Sequence, residues 1–370
     1  MSLDPSETAT AHLRRLAREP RPTGSAAVSN ARDYCAQVLT SAGFQVRERR
    51  FEYSAAVGSY GTPAGGLAAL ALVVAAAALS LGSHAASSFF VLVGGFALIA
   101  LGGEWIARRG VLALPLLRRR GVNLEASFGG AAPGLWLVAH LDSKSQPIPL
   151  LARAGGIMLL ALAALAAVAF ASAGALGVHL RDPWKVIIAG AIVGALPVMG
   201  SVVGRSSAGA IDNASGVATV LSVAESLSAK TPVGILITDA EELGLAGARA
   251  WCAETEHTRA PVLNCDGVDD GGELTVMWTR PRARRLEDAL RTAAQRWKTT
   301  LRVIPLVPGV LVDGVAFSDA GWDVVTLSRG SLGTLRRIHT RGDNLTHLDG
   351  TGIAAAAQVL GSAIEQLMES

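Results

Sequence analysis

The sequence predicts an α/β domain on a mixed, mostly parallel sheet with flanking helices, interrupted by four transmembrane helices in two hairpins. Three observations point there. Short apolar runs bounded by glycines alternate with segments of helical period, the pattern of strands joined by crossover helices. Half of the 370 residues are apolar and only 17% are charged, whereas about a quarter are charged in soluble domains. The apolar excess is concentrated in two stretches, within residues 54–103 and 155–204.

Taken in order, residues 6–42 read as an amphipathic helix, a break at Pro20-Arg21-Pro22-Thr23-Gly24, and a second helix over Ala27–Ala42 closed by Gly43. Phe44–Tyr53 reads as a charged edge strand. Ser54 to Gly103 contains no Asp, Glu, Lys or Arg, enough for two spans of about 20 residues each. Its polar centre, Gly82 to Ser88, suits a hairpin tip. Asn123–Phe128 and Leu135–Val138 read as neighbouring strands. A second pair of spans covers about Gly155–Val178 and Val186–Gly204, with His179 to Lys185 as the tip. Core helices rarely run this long without a charge, which favours the membrane.

Beyond the second hairpin, Ser215–Leu227 carries helical period, and Gly234–Thr238 and Val262–Cys265 read as strands buried on both faces. Leu274–Trp278, Leu301–Pro305 and Val324–Leu327 read as further strands, with helices over Arg284–Trp297 and Gly352–Met368. The catalytic domain is thus expected in three pieces, 1–53, 108–153 and 205–370, separated by hairpins at 54–107 and 154–204.

Basic residues near the spans set the orientation. Arg47, Arg49, Arg50, Arg108, Arg109, Arg118, Arg119, Arg120, Lys144, Arg153 and Arg205 lie on the side of the catalytic segments, against Arg181 and Lys185 at the tips. That bias predicts a multi-pass protein of a prokaryotic plasma membrane with its catalytic mass in the cytoplasm. The amino terminus lacks the apolar core of a signal peptide. Cys35, Cys252 and Cys265 show no metal spacing, and the net charge of +3 comes from the arginine flanks. No basic face interleaved with aromatics is present, so nucleic acid is not an expected partner; the lipid bilayer is. The spans carry no ionisable residue near their middle, which argues against a transporter. Trp105 and Trp184 read as interfacial anchors, and Gly94-Gly95 and Gly102-Gly103 as close helix contacts.

The chemistry is carried by His140, Asp212, Glu242, Asp266 and His339, with Asp142 and Glu241 beside two of them. Three carboxylates and two imidazoles can hold a pair of zinc-like divalent ions that share one carboxylate. His140 and Asp142 close one strand, Glu241 and Glu242 follow another, and Asp266 follows a third. In sheets of this kind working residues collect where strands end. Asp142 stands two residues from His140, where it can take the free ring proton. Asp212 precedes Asn213-Ala214-Ser215-Gly216 and a helix, and can bridge two ions. Of the adjacent Glu241 and Glu242, one can bind metal while the other serves as general base. His12, His84, His179, His257 and His347 lack sequence partners and read as surface or interfacial residues. Asp269, Asp270 and Asp343 read as loop carboxylates rather than ligands.

As a set, Val138–Ser143, Gly209–Ala218, Thr238–Ala248, Asn264–Gly267 and Ile338–Asp343 resemble metallopeptidase family twenty-eight, the co-catalytic di-zinc aminopeptidases. Pro22–Ser25 and Leu39–Phe44 are similar to that family's amino-terminal helices. The resemblance implies a zinc-aminopeptidase-like fold with two zinc ions; manganese or cobalt would suit the same donors. His140 and Asp266 would hold one ion, Glu242 and His339 the other, and Asp212 would bridge. Glu241 would be the general base and Asp142 the partner of His140. The implied reaction is attack of a metal-bridging hydroxide on a peptide or amide carbonyl, so a membrane-bound aminopeptidase acting on a peptide substrate.

Three features depart from the family's pattern. A 72-residue interval, filled by a hairpin, separates His140 from Asp212. Ile338 stands where many members have a tyrosine, and Ser318-Asp319-Ala320 where they often carry an Asp-His pair. Two other readings keep the fold: a single zinc ion used for glutaminyl cyclisation, and an inactive membrane scaffold. Counting ions separates the first. The second typically loses ligands, and all five are present. The sequence leaves the oligomeric state open.

Overall fold

The structure, a computed structural model, describes residues 5–129, 132–178, 181–228, 231–254, 259–307 and 309–369. It divides into two compact units, one of residues 1–54, 114–145 and 205–370, the other of residues 55–113 and 146–204.

In the first unit eight strands join in one sheet. They are β1 (Gln45–Ser54), β2 (Arg118–Ser127), β3 (Leu135–His140), β4 (Val233–Thr238), β5 (Val262–Val268), β6 (Glu273–Trp278), β7 (Leu301–Pro305) and β8 (Val324–Gly330), in the order β1-β2-β4-β3-β5-β8-β6-β7. The central strands β4, β3, β5 and β8 run parallel. All of β3 and β4 is buried, which explains their unbroken apolar sequences. Antiparallel pairing adds β1 and β2 on one side and β6 on the other, so the sheet is mixed. β2 begins five residues before the expected Asn123, because Arg118 and Arg120 both find Glu52 on β1, at 3.5 and 3.1 Å.

Alternate residues of the central strands feed two cores. Leu135, Leu137 and Ala139 face a core shared with α1 (Pro5–Leu16), α2 (Ala26–Ser41), α8 (Gly216–Ser226), α10 (Arg284–Arg296) and α13 (Thr351–Glu369). Trp136 and Val138 face a smaller one with α9 (Ala246–Glu254) and α11 (Asp313–Asp319), where Trp136, Trp251, Phe317 and Trp322 make edge and tilted ring contacts. The short α9, α11 and α12 (Leu332–Arg337) were not expected, since so few turns show no clear period. His12 is not a surface residue: it is 4% exposed, with its ring nitrogens 2.7 Å from Tyr34 Oη and 3.2 Å from Glu225. It ties α1 to α2 and α8. His347 is exposed, and His179 and His257 lie outside the described residues.

The second unit consists of α3 (Ala55–Leu81), α4 (Ala85–Trp105), which continues through a π turn into the short α5 (Val111–Ala113), α6 (Leu150–Ala175) and α7 (Asp182–Met199). The helices over Ala55–Leu81, Ala85–Ala113, Leu150–Ala175 and Asp182–Met199 are each long and apolar enough to cross a membrane. The first tip is tighter than expected, since the helix resumes at Ala85 and His84 Nδ1 closes on Gly82 O at 2.7 Å. The second pair starts at Leu150 rather than Gly155 and ends at Met199 rather than Gly204. Small residues such as Ala76, Ala167, Ala171 and Ala191 are buried between the helices, whereas Leu98 and Leu165 are 73% and 68% exposed. Large residues such as Leu92 and Trp184 share that interior, and the exposed leucines leave an apolar outer surface unlike that of a water-soluble bundle. The close approaches are made elsewhere than expected. A Cβ on Gly194 would come within 2.6 Å of Leu160 N, while Gly94, Gly102 and Gly103 face open space and only Gly95 of the two pairs packs tightly, against Leu72. Trp184 is buried at 1% exposure inside this unit rather than lying at its rim, whereas Trp105 is exposed.

Candidate active site

The carboxyl ends of β3, β4 and β5 deliver His140, Glu241, Glu242 and Asp266 to one end of the sheet. The segment Gly209–Ser215, which leads into α8, brings Asp212, and the loop after α12 brings His339. One carboxylate lies at the centre. Asp212 Oδ1 is 3.1 Å from His140 Nε2, and its Oδ2 is 2.9 Å from His339 Nε2. Around it, Asp266 and Glu241 lie 3.7 and 3.9 Å from His140 Nε2, and Glu242 Oε1 lies 3.5 Å from His339 Nε2. Two sets of donors result, His140 with Glu241 and Asp266, and Asp212 with Glu242 and His339, the donor atoms of each within 4.8 Å of one another. Each set could hold a metal ion.

The backbone beneath these residues is fixed in detail. Asp343, half of the Thr340–Asp343 turn, is fully buried and accepts from Ile211 N at 2.6 Å and Asp212 N at 3.2 Å. Asn213 donates to Cys265 O and accepts from Gly216 N and Gly267 N, which locks the Asp212 segment to the end of β5. Gly209 has φ +57°, and a Cβ there would meet Asp212 O at 2.4 Å and Ser143 Cβ at 2.5 Å. Ala240 and His339 also sit at positive φ, +58° and +61°, a conformation that non-glycine residues adopt mainly where surrounding structure enforces it.

Beside the expected contact with His140, Asp142 has a second role. His140 Nδ1 lies 3.1 Å from the backbone carbonyl of Asp142 and 3.6 Å from its carboxylate. The carboxylate also accepts from Glu241 N at 3.0 Å and from Glu242 N and Thr23 Oγ1 at 3.2 Å. It caps the turn that aims the two glutamates. Asp319 is not at the site; it pairs with Arg249 at 3.1 Å. From the same helix, Asp313 is fully buried and accepts a hydrogen bond from Thr238 Oγ1 at the end of β4. Asp269 pairs with Arg337, and Asp270 accepts from Gly350 N and Gly352 N ahead of α13.

Electrostatically the site is a dense buried anion cluster. Burial alone would lower the pKa of His140, but the charge of Glu241 and hydrogen bonds to Asp142, Asp212 and Asp266 raise it well above the usual imidazole range. Burial would likewise raise Asp212, yet hydrogen bonds from His140 and His339 hold it well below the usual carboxylate range. Burial pushes Glu241 well up, and pushes Asp313 and Asp343 up to about 7. For Glu242, burial pushes upward, but the Lys144 ammonium at 2.5 Å and His339 together bring it down to about 2. Lys144 had been grouped with the basic residues flanking the spans; it belongs to the site instead.

The residues fit divalent ions. Oxygen and imidazole donors converge, and Glu242 Oε1 is buried with no hydrogen-bond partner, as suits an oxygen that a cation would take. Sequence reading missed Asp313, Lys144 and Arg21. Only Asp313 left a signal, as a lone acid in the apolar run Leu311-Val312-Asp313-Gly314-Val315-Ala316-Phe317.

The fold is similar to that of BSAP, a zinc aminopeptidase from Bacillus subtilis, at 14% identity and TM-score 0.58, covering 98% of this chain and 94% of that one. It is similar also to an aminopeptidase from Aneurinibacillus sp. strain AM-1 (16% identity, TM-score 0.57, 98% and 93% covered). A third similar structure is Porphyromonas gingivalis glutaminyl cyclase (16% identity, TM-score 0.56, 98% of each chain covered). A search of curated proteins found no match. The profile of Peptidase family M28 matches residues 123–364, which include every donor described above. The chain belongs to peptidase family M28.

Proposed function

We propose that the protein is a membrane-bound, two-metal exopeptidase of the aminopeptidase type. The observation that carries this reading is the central carboxylate: each oxygen of Asp212 faces a different imidazole, within 3.1 Å, the arrangement of a bridging ligand. His140 and Asp266 would complete one ion site, and Glu242 and His339 the other. Bound divalent ions would supply Lewis acidity, polarising a carbonyl and acidifying water. Glu241, buried and 3.9 Å from His140 Nε2, would accept a proton from water and pass it to a leaving amine. Asp142 orients it through the Glu241 backbone N–H. The four apolar helices would lie in the bilayer, and the remaining excess of basic residues on the catalytic side favours a cytoplasmic site.

Full-length protein stripped with chelator and restored with zinc should hydrolyse amino-acid amides or short peptides. Glu241→Gln should lower turnover by roughly 10²- to 10⁴-fold while keeping its metal. Absence of hydrolysis by the zinc-restored wild type on any amide or peptide would sink the proposal. A second reading, glutaminyl cyclisation, is favoured by the similarity to the Porphyromonas gingivalis enzyme; one tightly held ion and cyclisation of an amino-terminal glutamine would select it.

A further inference from the structure

We infer that Lys144 is a positioning residue that commits Glu242 to binding its ion through a single oxygen. The inference rests on the reading that Asp212, Glu242 and His339 hold a metal ion. The two oxygens of Glu242 have different surroundings. Oε2 lies 2.5 Å from Lys144 Nζ, whereas Oε1 is buried, without a hydrogen-bond partner, and 3.5 Å from His339 Nε2. A carboxylate free at both oxygens can chelate one ion with both; a carboxylate with one oxygen held by an ammonium presents only the other.

The ammonium is not the end of a wandering surface chain. Its side chain is 17% exposed, and the backbone on either side is clamped. Arg21 and Ser143 exchange bonds, Arg21 N to Ser143 Oγ at 2.9 Å and Ser143 N to Arg21 O at 3.1 Å, while Arg21 Nε holds Leu141 O at 2.8 Å. Ser143 Oγ also donates to Ser207 O, and Ser145 Oγ accepts from Ser206 N at 2.9 Å. With residues on both sides of it fixed, Lys144 has few ways to withdraw. Its contact is with Glu242, on the Asp212–Glu242–His339 set, and not with His140 or Asp266.

Two opposing effects decide the sign. A positive charge near a divalent ion weakens binding by Coulomb repulsion, but four carboxylates, Asp212, Glu241, Glu242 and Asp266, share this small volume, and the ammonium offsets part of their mutual repulsion. Outer partners of ligand carboxylates generally favour the metal, and their loss costs roughly 10- to 100-fold in affinity. Positioning should therefore win, and Lys144 should tighten the ion while keeping a coordination position open.

The test is cobalt(II) titration of full-length wild type, Lys144→Met and Lys144→Arg, reading affinity by competition with a chromophoric chelator and coordination by visible absorption. Lys144→Met should weaken one cobalt ion by roughly 10- to 100-fold and shift its absorption as Glu242 chelates through both oxygens. Lys144→Arg, which keeps a cationic donor, should restore most of both. An unchanged cobalt spectrum in Lys144→Met would overturn the inference alone. Failure of the wild type to bind any cobalt would overturn the metal reading and this inference with it. Retained circular dichroism in the variants separates these outcomes from misfolding.

Discussion

Replacing Arg21 tests how far the site depends on a residue that touches none of its donors. The Arg21 side chain is 1% exposed and donates to four carbonyls: Leu16 O at 2.6 Å, Ala208 O at 2.7 Å, Leu141 O at 2.8 Å and Gly209 O at 3.1 Å. Those carbonyls belong to the end of α1, the loop after His140 and the segment before Asp212, so one guanidinium fastens three parts of the chain. Burial draws its pKa down to about 10, with Asp343 and Asp142 resisting, so it stays charged at neutral pH. Arg21→Met strands four buried acceptors at about 1–3 kcal/mol each. Water admitted to the vacated volume recovers part of that, leaving a loss of about 4 kcal/mol at the low end of the range. Against a total of roughly 5–15 kcal/mol that is severe. At about 2–4 °C per kcal/mol for a domain of this size, the melting temperature should fall by roughly 8–16 °C. Arg21→Lys keeps the charge but not the fork and should fall between. Near-ultraviolet circular dichroism of the detergent-solubilised protein reads the transition, and a shift smaller than about 2 °C would refute the reasoning.

Asp142→Asn keeps one oxygen acceptor but turns an amide N–H₂ toward one of the two backbone N–H groups that need acceptors at 3.0 and 3.2 Å, so zinc affinity measured by calorimetry should drop by about 10- to 100-fold. Gly194→Val places a side chain where even a Cβ meets Leu160 N at 2.6 Å; the α6–α7 pair should separate, seen as loss of a disulfide between cysteines engineered across it. Replacing residues 55–113 and 146–204 by short turns should leave a water-soluble protein with the wild-type zinc content, measured by atomic absorption after gel filtration.

The central strands were legible because burial on both faces demands apolar runs, which β3 and β4 are up to His140 and Thr238, and β5 is up to Cys265 apart from Asn264. The donors were legible because they fall where those runs stop. What was not legible is the set of charges that hold the donors in place. Arg21 sits in a Pro-rich break and Lys144 near a span, so each has an ordinary local explanation. Their partners are far off in sequence: Arg21 bonds across to Gly209, Lys144 to Glu242, and Asp343 to Ile211. A side chain whose role is to receive distant backbone groups leaves no local period or spacing. Trp184 misled for a related reason, since a tryptophan near a span end has the same sequence appearance whether it faces a bilayer interface or, as here, neighbouring helices.

The long interval between His140 and Asp212 is compatible with one site because the chain leaves and returns at points already joined. Ser145 Oγ accepts from Ser206 N at 2.9 Å and lies 3.0 Å from Ser206 Oγ, just outside the two ends of the second insertion. The first insertion is closed in the same way: Ser54 pairs with Arg118 in the β1–β2 ladder and donates to Leu116 O at 2.6 Å. Loop closure costs only about 0.6 kcal/mol per doubling of length, so lengthening a loop from about 10 to about 60 residues adds about 1.5 kcal/mol. Two part-buried hydrogen bonds at about 1 kcal/mol each offset that. Separation along the sequence therefore places little energetic demand on the distance between His140 and Asp212. That distance, 3.1 Å from Nε2 to Oδ1, is set by Arg21, Asp343 and Asn213, all of which act within the catalytic unit.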